Sequence, residues 1–327
     1  MTRQLVLLLP GQGSQQQGMA NELYAHEPAF AAVLDMFFAA MGEEGARLRA
    51  DWLSDTPRVP IDDGPRAQPL LFAIGYAVGR VLRDRGFTPD VLLGHSVGEL
   101  AAAALADVFD LPAAARILGG RSAVLGEDSP AGGLLAVAAP PERATALITP
   151  EWAARGLAVG AVNGPSQTIL AGLDAELGLV ARAAEEQGVT TLRVKAHQPF
   201  HSPALAPAAR LFEKYLAAER LRPPRIPVRS ARTARDVTPD EAVDPAFWAH
   251  LMSEPVLFWP ALTSLPADGS YLFVETGPGN GLATTARLHP SVRAGHSEVV
   301  ALMPARGRDP LRAWETGLEK LAGLVGR

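Results

Sequence analysis

The chain has 327 residues, of which 48% are hydrophobic and 20% charged, and a net charge of -5. At ~150 residues per domain this length predicts two domains, or one large domain carrying an insertion, and the apolar content excludes wholesale disorder. The acidic balance argues against a general binder of phosphate backbones, and the lack of cysteine excludes a disulfide scaffold, a thiolate metal site and a cysteine nucleophile. The apolar stretch Leu5–Leu9 is too short for a secretory or membrane-spanning segment, so the expected setting is the cytoplasm, with no membrane or nucleic-acid partner.

In chain order, Leu5–Leu9 reads as a buried strand entering the turn Gly11-Gln12-Gly13-Ser14-Gln15. A helix is predicted over 28–48, a loop over the Pro- and Asp-rich 51–66, and a second helix over Gln68–Arg85, with Leu71, Ile74, Val78 and Leu82 on one face. Pro89–Gly94 reads as a strand and Val97–Leu105 as a helix. Asp110 is a suitable N-cap for the helix that follows. The middle changes character. Strands at Gly132–Ala139, Leu157–Asn163, Thr168–Ala171 and Thr191–Val194 alternate with helices at Glu142–Leu147 and Asp174–Gln187. That strand–helix–strand–strand–helix–strand order is the ferredoxin-like arrangement. Helix then returns over Ala204–Arg220, and Tyr271–Glu275 is a strand. The predicted fold is α/β: a large α/β-hydrolase-like domain with a parallel sheet (1–129 and 197–327), interrupted by a small ferredoxin-like domain (130–196). The cleft between the two is the expected ligand site.

The sharpest local signal is Gly94-His95-Ser96-Val97-Gly98-Glu99, a G-x-S-x-G turn between a predicted strand and a predicted helix. Such an elbow lifts the serine hydroxyl clear of the sheet, and its glycines leave room for a strained backbone. It also places the Val97 N–H near a helix N-terminus, where an oxyanion would form. A serine nucleophile needs a base. Seven histidines are present, and spacing alone does not choose among them. His95, inside the elbow, is expected to point away from its neighbour's hydroxyl.

Taken together, the motifs resemble the malonyl-CoA:ACP acyltransferase family of fatty-acid and polyketide synthesis, over essentially the whole chain. Gly11–Gln15 is similar to the family's G-Q-G-S-Q turn and Gly94–Glu99 to its G-H-S-x-G-E elbow. Arg121, 25 residues after Ser96, sits at the spacing of the carboxylate-binding arginine. Ala161-Val162-Asn163-Gly164-Pro165 resembles a strand and turn of the inserted domain. Phe200-His201-Ser202-Pro203 resembles the segment of the catalytic histidine, and Glu275-Thr276-Gly277-Pro278-Gly279 the C-terminal strand and turn.

The resemblance implies an enzyme of the acyl-carrier-protein S-malonyltransferase type. Ser96 would form an acyl-enzyme with His201 moving the proton, in ping-pong order, from acyl-CoA to the phosphopantetheine thiol of an acyl carrier protein. It implies the N–H groups of Gln12 and Val97 as the oxyanion hole, and Arg121, Phe200, Gln198 and His95 at the substrate. It implies the backbone carbonyl of Leu251 as the group orienting His201. A bulky Phe200 agrees with the family's malonyl selectors, because the ring fills the space of an α-methyl group. Gln198-Pro199 and Ser122-Ala123-Val124-Leu125 depart from the family's usual residues. No metal and no resident cofactor are expected, and the chain is expected to be a discrete monomer acting in trans in a polyketide pathway. Arg225, Arg229, Arg232, Arg235, Arg287 and Arg293 are the candidates for docking an acidic carrier protein. The rival readings are transfer of a larger acyl or aminoacyl group between carriers, hydrolysis of stalled acyl thioesters, and a non-catalytic interaction module.

Overall fold

A computed structural model describes residues 3–127, 130–303 and 309–325. Its larger sheet contains five parallel strands: β1 (Gln4–Leu9), β2 (Val91–Gly94), β7 (Val228–Arg229), β8 (Tyr271–Glu275) and β9 (Glu298–Ala301), in the order β7-β2-β1-β8-β9. The central strands are buried on both faces, so they read as continuous apolar runs. Alternate side chains still serve different layers. Leu5, Leu7 and Leu9 of β1 pack into the core shared with the long helix Gly64–Asp84 and the wholly buried helix Val97–Leu105. Val6 and Leu8 pack on the other face, with Phe258 and Phe273.

The smaller sheet is antiparallel: β3 (Gly132–Val137), β4 (Ala158–Gly164), β5 (Gln167–Leu173) and β6 (Thr191–Arg193), in the order β4-β5-β3-β6. That order is ferredoxin-like, as expected. Leu135 and Val137 point into a separate core with Leu177 and Val180 of the helix Asp174–Glu186. Leu134 and Ala136, one residue out of phase, face the large sheet's layer. The two-residue alternation thus gives this sheet one structural face and one face toward the cleft.

Several expectations shift. The helix expected over 28–48 is two helices, Pro28–Ala40 and Glu43–Leu53, because Gly42 takes φ 65° between them. The second of these and the helix Gly64–Asp84, which starts ahead of Gln68, shorten the predicted 51–66 loop. The Asp110 cap forms, with Ala113 N–H donating to its Oδ1 at 2.9 Å.

The elbow between β2 and the helix Val97–Leu105 is closely packed. A Cβ at Gly94 would overlap the backbone N of Glu99, and one at Gly98 would overlap the carbonyl of Leu9. Both neighbours are main chain and cannot turn aside. Gly98→Ala is therefore expected to cost at least about 2 kcal/mol of stability, read as a lowered urea midpoint at unchanged slope.

Candidate active site

Ser96 ends the β2 turn with φ 55° and ψ -121°, a strained conformation for a residue with a side chain. His201, from the segment after the small sheet, also has positive φ, at 63°. The two strained residues meet: Ser96 Oγ lies 2.8 Å from His201 Nε2. On its other side His201 Nδ1 lies 2.9 Å from the backbone carbonyl of Glu254. A carbonyl only accepts, so Nδ1 carries the proton and Nε2 offers a lone pair to the serine hydroxyl. Burial, then the nearby His95 and Arg121, hold the imidazole down to about 3, so it is neutral at physiological pH.

The Gly11–Gly13 turn packs against the elbow, with the Gly11 Cα close to His95 and Ser96. Val97 is the first residue of its helix, so its N–H has no intrahelical acceptor. Among the described residues no acceptor is found for the Gln12 N–H. Gln12 also starts a side-chain relay: Gln68 Nε2 donates to Gln12 Oε1 at 2.9 Å, and Arg121 Nε donates to Gln68 Oε1 at 2.6 Å.

Arg121 is only 1% exposed. Its guanidinium lies 5.4 Å from the Phe212 ring centroid. Among the described residues Nη1 and Nη2 have no hydrogen-bond partner, nor does Gln12 Nε2. Burial pushes the guanidinium down to about 9, so it keeps its charge at neutral pH. A buried cation without a counter-charge is costly, and an anionic group placed against it would recover much of that cost.

A cavity of about 360 Å³ opens over the dyad between the two sheets. Gln12, Ser96, His201 and Phe200 line one side, and Leu134 and Ile169 of the small sheet the other. His95 also lines it, but its Nε2 turns to Asn163 Oδ1 of β4, 2.8 Å away. That agrees with the expectation that its ring points away from the serine, and it ties the elbow to the small sheet.

A family model described as acyl transferase domain matches residues 6–312. The chain belongs to the acyl transferase domain family. A phenolphthiocerol/phthiocerol polyketide synthase of Mycobacterium tuberculosis is 35% identical to the acyltransferase over 296 residues, covering 90% of this chain and 19% of that protein. The chain thus spans about a fifth of that relative's length. Among solved structures, the acyltransferase domain from the second module of the salinomycin polyketide synthase superposes with a TM-score of 0.87 at 32% identity, covering 97% of this chain and 73% of that one. The acyl transferase domain of SpnD, in complex with 2-(pent-4-yn-1-yl)malonyl, superposes with a TM-score of 0.89 at 27% identity, covering 99% and 77%.

The acyltransferase site corrects three expectations. Leu251 does not supply the carbonyl that holds His201; it is buried in the large core, and the turn His250–Met252 carries the chain onward so that Glu254 presents the acceptor. Gln198 does not line the cavity: its Oε1 is turned toward Gly64, where a Cβ would lie 3.3 Å away; Arg121 does not line it either, and connects to its wall through Gln68 and Gln12. Four of the six docking arginines face acidic partners. Arg225 lies 4.0 Å from Asp107, Arg229 2.7 Å from Asp236, and Arg232 and Arg235 each 2.6 Å from Glu254 and Glu241. These pairings offset part of the positive charge of the run, least at Arg225, whose side chain is 81% exposed.

Three contributors were missed. Gln68 couples Arg121 to the Gln12 turn from near the start of the helix Gly64–Asp84, whose apolar periodicity gave no hint of it. The Glu254 carbonyl has no side-chain signature. Glu275 accepts from Leu282 N at 3.2 Å and Ala283 N at 2.8 Å, fixing the helix Gly281–Ala286 at the cavity rim. Its motif was visible, but its role as a helix anchor was not.

Proposed function

We propose that the acyltransferase moves a malonyl-type acyl group from CoA to the phosphopantetheine thiol of an acyl carrier protein, through an ester on Ser96. The observation that carries this reading is the buried Arg121 guanidinium with two unpartnered nitrogens, joined through Gln68 to the Gln12 turn that lines the cavity with the Ser96–His201 pair. A free carboxylate on the acyl group satisfies both nitrogens bidentately. The malonyl ligand named for the SpnD domain supports the same class.

Ser96 Oγ attacks the thioester carbonyl carbon as its proton passes to His201 Nε2. The carbonyl oxygen takes the negative charge and accepts from the N–H groups of Gln12 and Val97. Loss of one such donor raises the barrier by ~3 kcal/mol. The carbon–sulfur bond breaks, the sulfur takes the proton from Nε2, and free CoA leaves. The pantetheine thiol then gives its proton to Nε2 as its sulfur attacks the ester. The carbon–oxygen bond breaks and Ser96 Oγ recovers the proton. Because the imidazole is neutral at rest and feels the Arg121 charge, the substrate carboxylate has a second effect. It offsets the cation that disfavours imidazolium, making His201 a better base once the correct donor is bound. No resident metal or cofactor enters the reaction, since the substrate brings its own activated thioester. The carrier protein is the second substrate, in a polyketide pathway; 35% identity to a segment of a polyketide synthase supports that class of pathway.

Intact-protein mass spectrometry tests the reading. Malonyl-CoA should leave one malonyl group on Ser96, stable in buffer and discharged when carrier protein bearing the pantetheine thiol is added. Rapid release of free malonate instead makes the protein a thioester hydrolase, and no adduct with malonyl-CoA but one with an uncharged acyl donor removes the Arg121 argument.

A further inference from the structure

The segment Met252–Leu257 holds His201 from two sides and belongs to neither sheet. Met252 O accepts the His201 backbone N–H at 2.8 Å, and Glu254 O accepts from Nδ1. Two residues on, Val256 N donates to Gly160 O at 2.9 Å and Val256 O accepts from Val162 N at 2.8 Å, which clips the segment to β4. Leu257 N donates to Ala231 O. Whatever fixes this segment therefore fixes the tautomer and the aim of the base.

One side chain reaches it from the loop after β7. Arg232 Nη1 donates to Glu254 Oε2 at 2.6 Å, and its guanidinium carbon lies 4.1 Å over the Phe247 ring centroid. Its side chain is only 14% exposed. The loop that carries it is anchored in turn to the nucleophile's own helix: Ala231 N donates to Glu99 Oε2 at 3.0 Å, and Glu99 lies three residues after Ser96. Arg232 N donates to Ser230 Oγ at 3.0 Å. The contacts close a ring that runs from Ser96 through Glu99, the 230–232 turn, Arg232 and Glu254 to His201 and back to Ser96. Pro255 follows Glu254 and confines it to extended backbone, so gripping the carboxylate limits the rotation left to the peptide whose carbonyl faces Nδ1.

We propose that Arg232 is a positioning residue for the acyl-transfer base, holding the Glu254 carbonyl against His201 Nδ1 through the Glu254 carboxylate and the face of Phe247. This rests on the reading of Ser96 and His201 as nucleophile and base. It reassigns Arg232 from the carrier-docking role its charge suggested. Loss of the grip frees the carbonyl, and the imidazole then loses the partner that keeps its lone pair on the serine side.

The test uses a fluorophosphonate probe, which needs an activated Ser96 but no particular acyl group. Arg232→Met is expected to slow labelling about tenfold to hundredfold at an unchanged half-saturating probe concentration. Glu254→Gln, at a half-exposed side chain and with the backbone carbonyl intact, should slow it to a similar extent. The double variant should be no slower than either single one, because both break one link. Arg232→Lys, which keeps the charge and a donor but loses the planar stack on Phe247, should fall between wild type and Arg232→Met. Wild-type labelling by Arg232→Met, losses that multiply in the double variant, or an Arg232→Lys as slow as Arg232→Met each overturn the proposal. A wild type that labels with the probe but takes no malonyl from CoA removes the substrate reading and leaves this inference standing. A wild type that does not label removes both.

Discussion

Replacing His201 with alanine should slow acylation of Ser96 by malonyl-CoA about ten-thousandfold, at the upper end of what one general base contributes. The reason is geometric. Nε2 is 2.8 Å from the serine oxygen, and Nδ1 is held by Glu254 O on the opposite side of the ring. His95, the other histidine at the cavity, is turned onto Asn163 and does not replace it. The loss should fall on the single-turnover rate of acylation and leave the Michaelis constant for malonyl-CoA nearly unchanged, since the cavity and Arg121 are untouched. Rapid quench with intact-mass detection reads both. A loss of less than tenfold would mean that another group takes the proton.

The same histidine makes a pH prediction with a definite sign. In the folded chain it is held down to about 3, against an ordinary histidine near ~6.5. Over that window the unfolded chain takes up a proton that the folded chain refuses. His201 therefore costs stability as pH falls from ~6.5 toward 3, by about 2 kcal/mol at pH 5. Glu99 and Glu275 act in the opposite sense. Burial pushes each up to about 7, so the folded chain binds their protons first, and their contribution improves as pH falls from 7 toward ~4.5. The clean measurement is thus a difference. Between pH 7 and pH 5, His201→Ala should lose about 2 kcal/mol less stability than wild type in urea unfolding. The two carboxylates are present in both proteins and cancel. Parallel stability curves would show that the imidazole charges freely in the folded state.

The features that were readable in the sequence share one property: they are local. The elbow at Gly94–Gly98 is a run of adjacent residues under a steric constraint, and the ferredoxin-like sheet follows from periodicity within short segments. The features that were not readable depend on where the chain returns. Leu251 was expected to hold His201, but a backbone carbonyl can come from any residue, and the tight turn at His250–Met252 moves the acceptor three positions on, to Glu254. The arginines of 225–235 read as a basic run because the acids that pair with them are scattered: Asp107, Asp236, Glu241 and Glu254. β7 pairs through only two residues and β9 through four, too short for an alternation to register. Gly42 interrupts an otherwise acceptable helical pattern because its positive φ is a property of the packed corner, not of composition.

Arg121 should separate stability from activity, and the two must move in opposite directions. In the unliganded chain its guanidinium is buried, held by one bond to Gln68 and by the Phe212 face, with Nη1 and Nη2 unmatched. Arg121→Met keeps most of the volume against Phe212 and removes the charge. Replacing an uncompensated buried ion with an apolar chain is expected to raise stability by about 1–3 kcal/mol, seen as a higher urea midpoint. The same variant should lose acylation by malonyl-CoA about a hundredfold to ten-thousandfold, because the substrate carboxylate now enters an apolar site with no counter-charge. Acetyl-CoA carries no carboxylate and leaves the wild-type guanidinium unpaired, so its acylation rate should hold or rise in the variant. Arg121→Lys should fall between, since an ammonium preserves the charge but not the fork that meets two oxygens at once. The inversion of donor preference, measured as the ratio of malonyl to acetyl rates, is the decisive quantity. Equal losses with both donors would assign Arg121 to the architecture of the Gln12 turn and not to the acyl group.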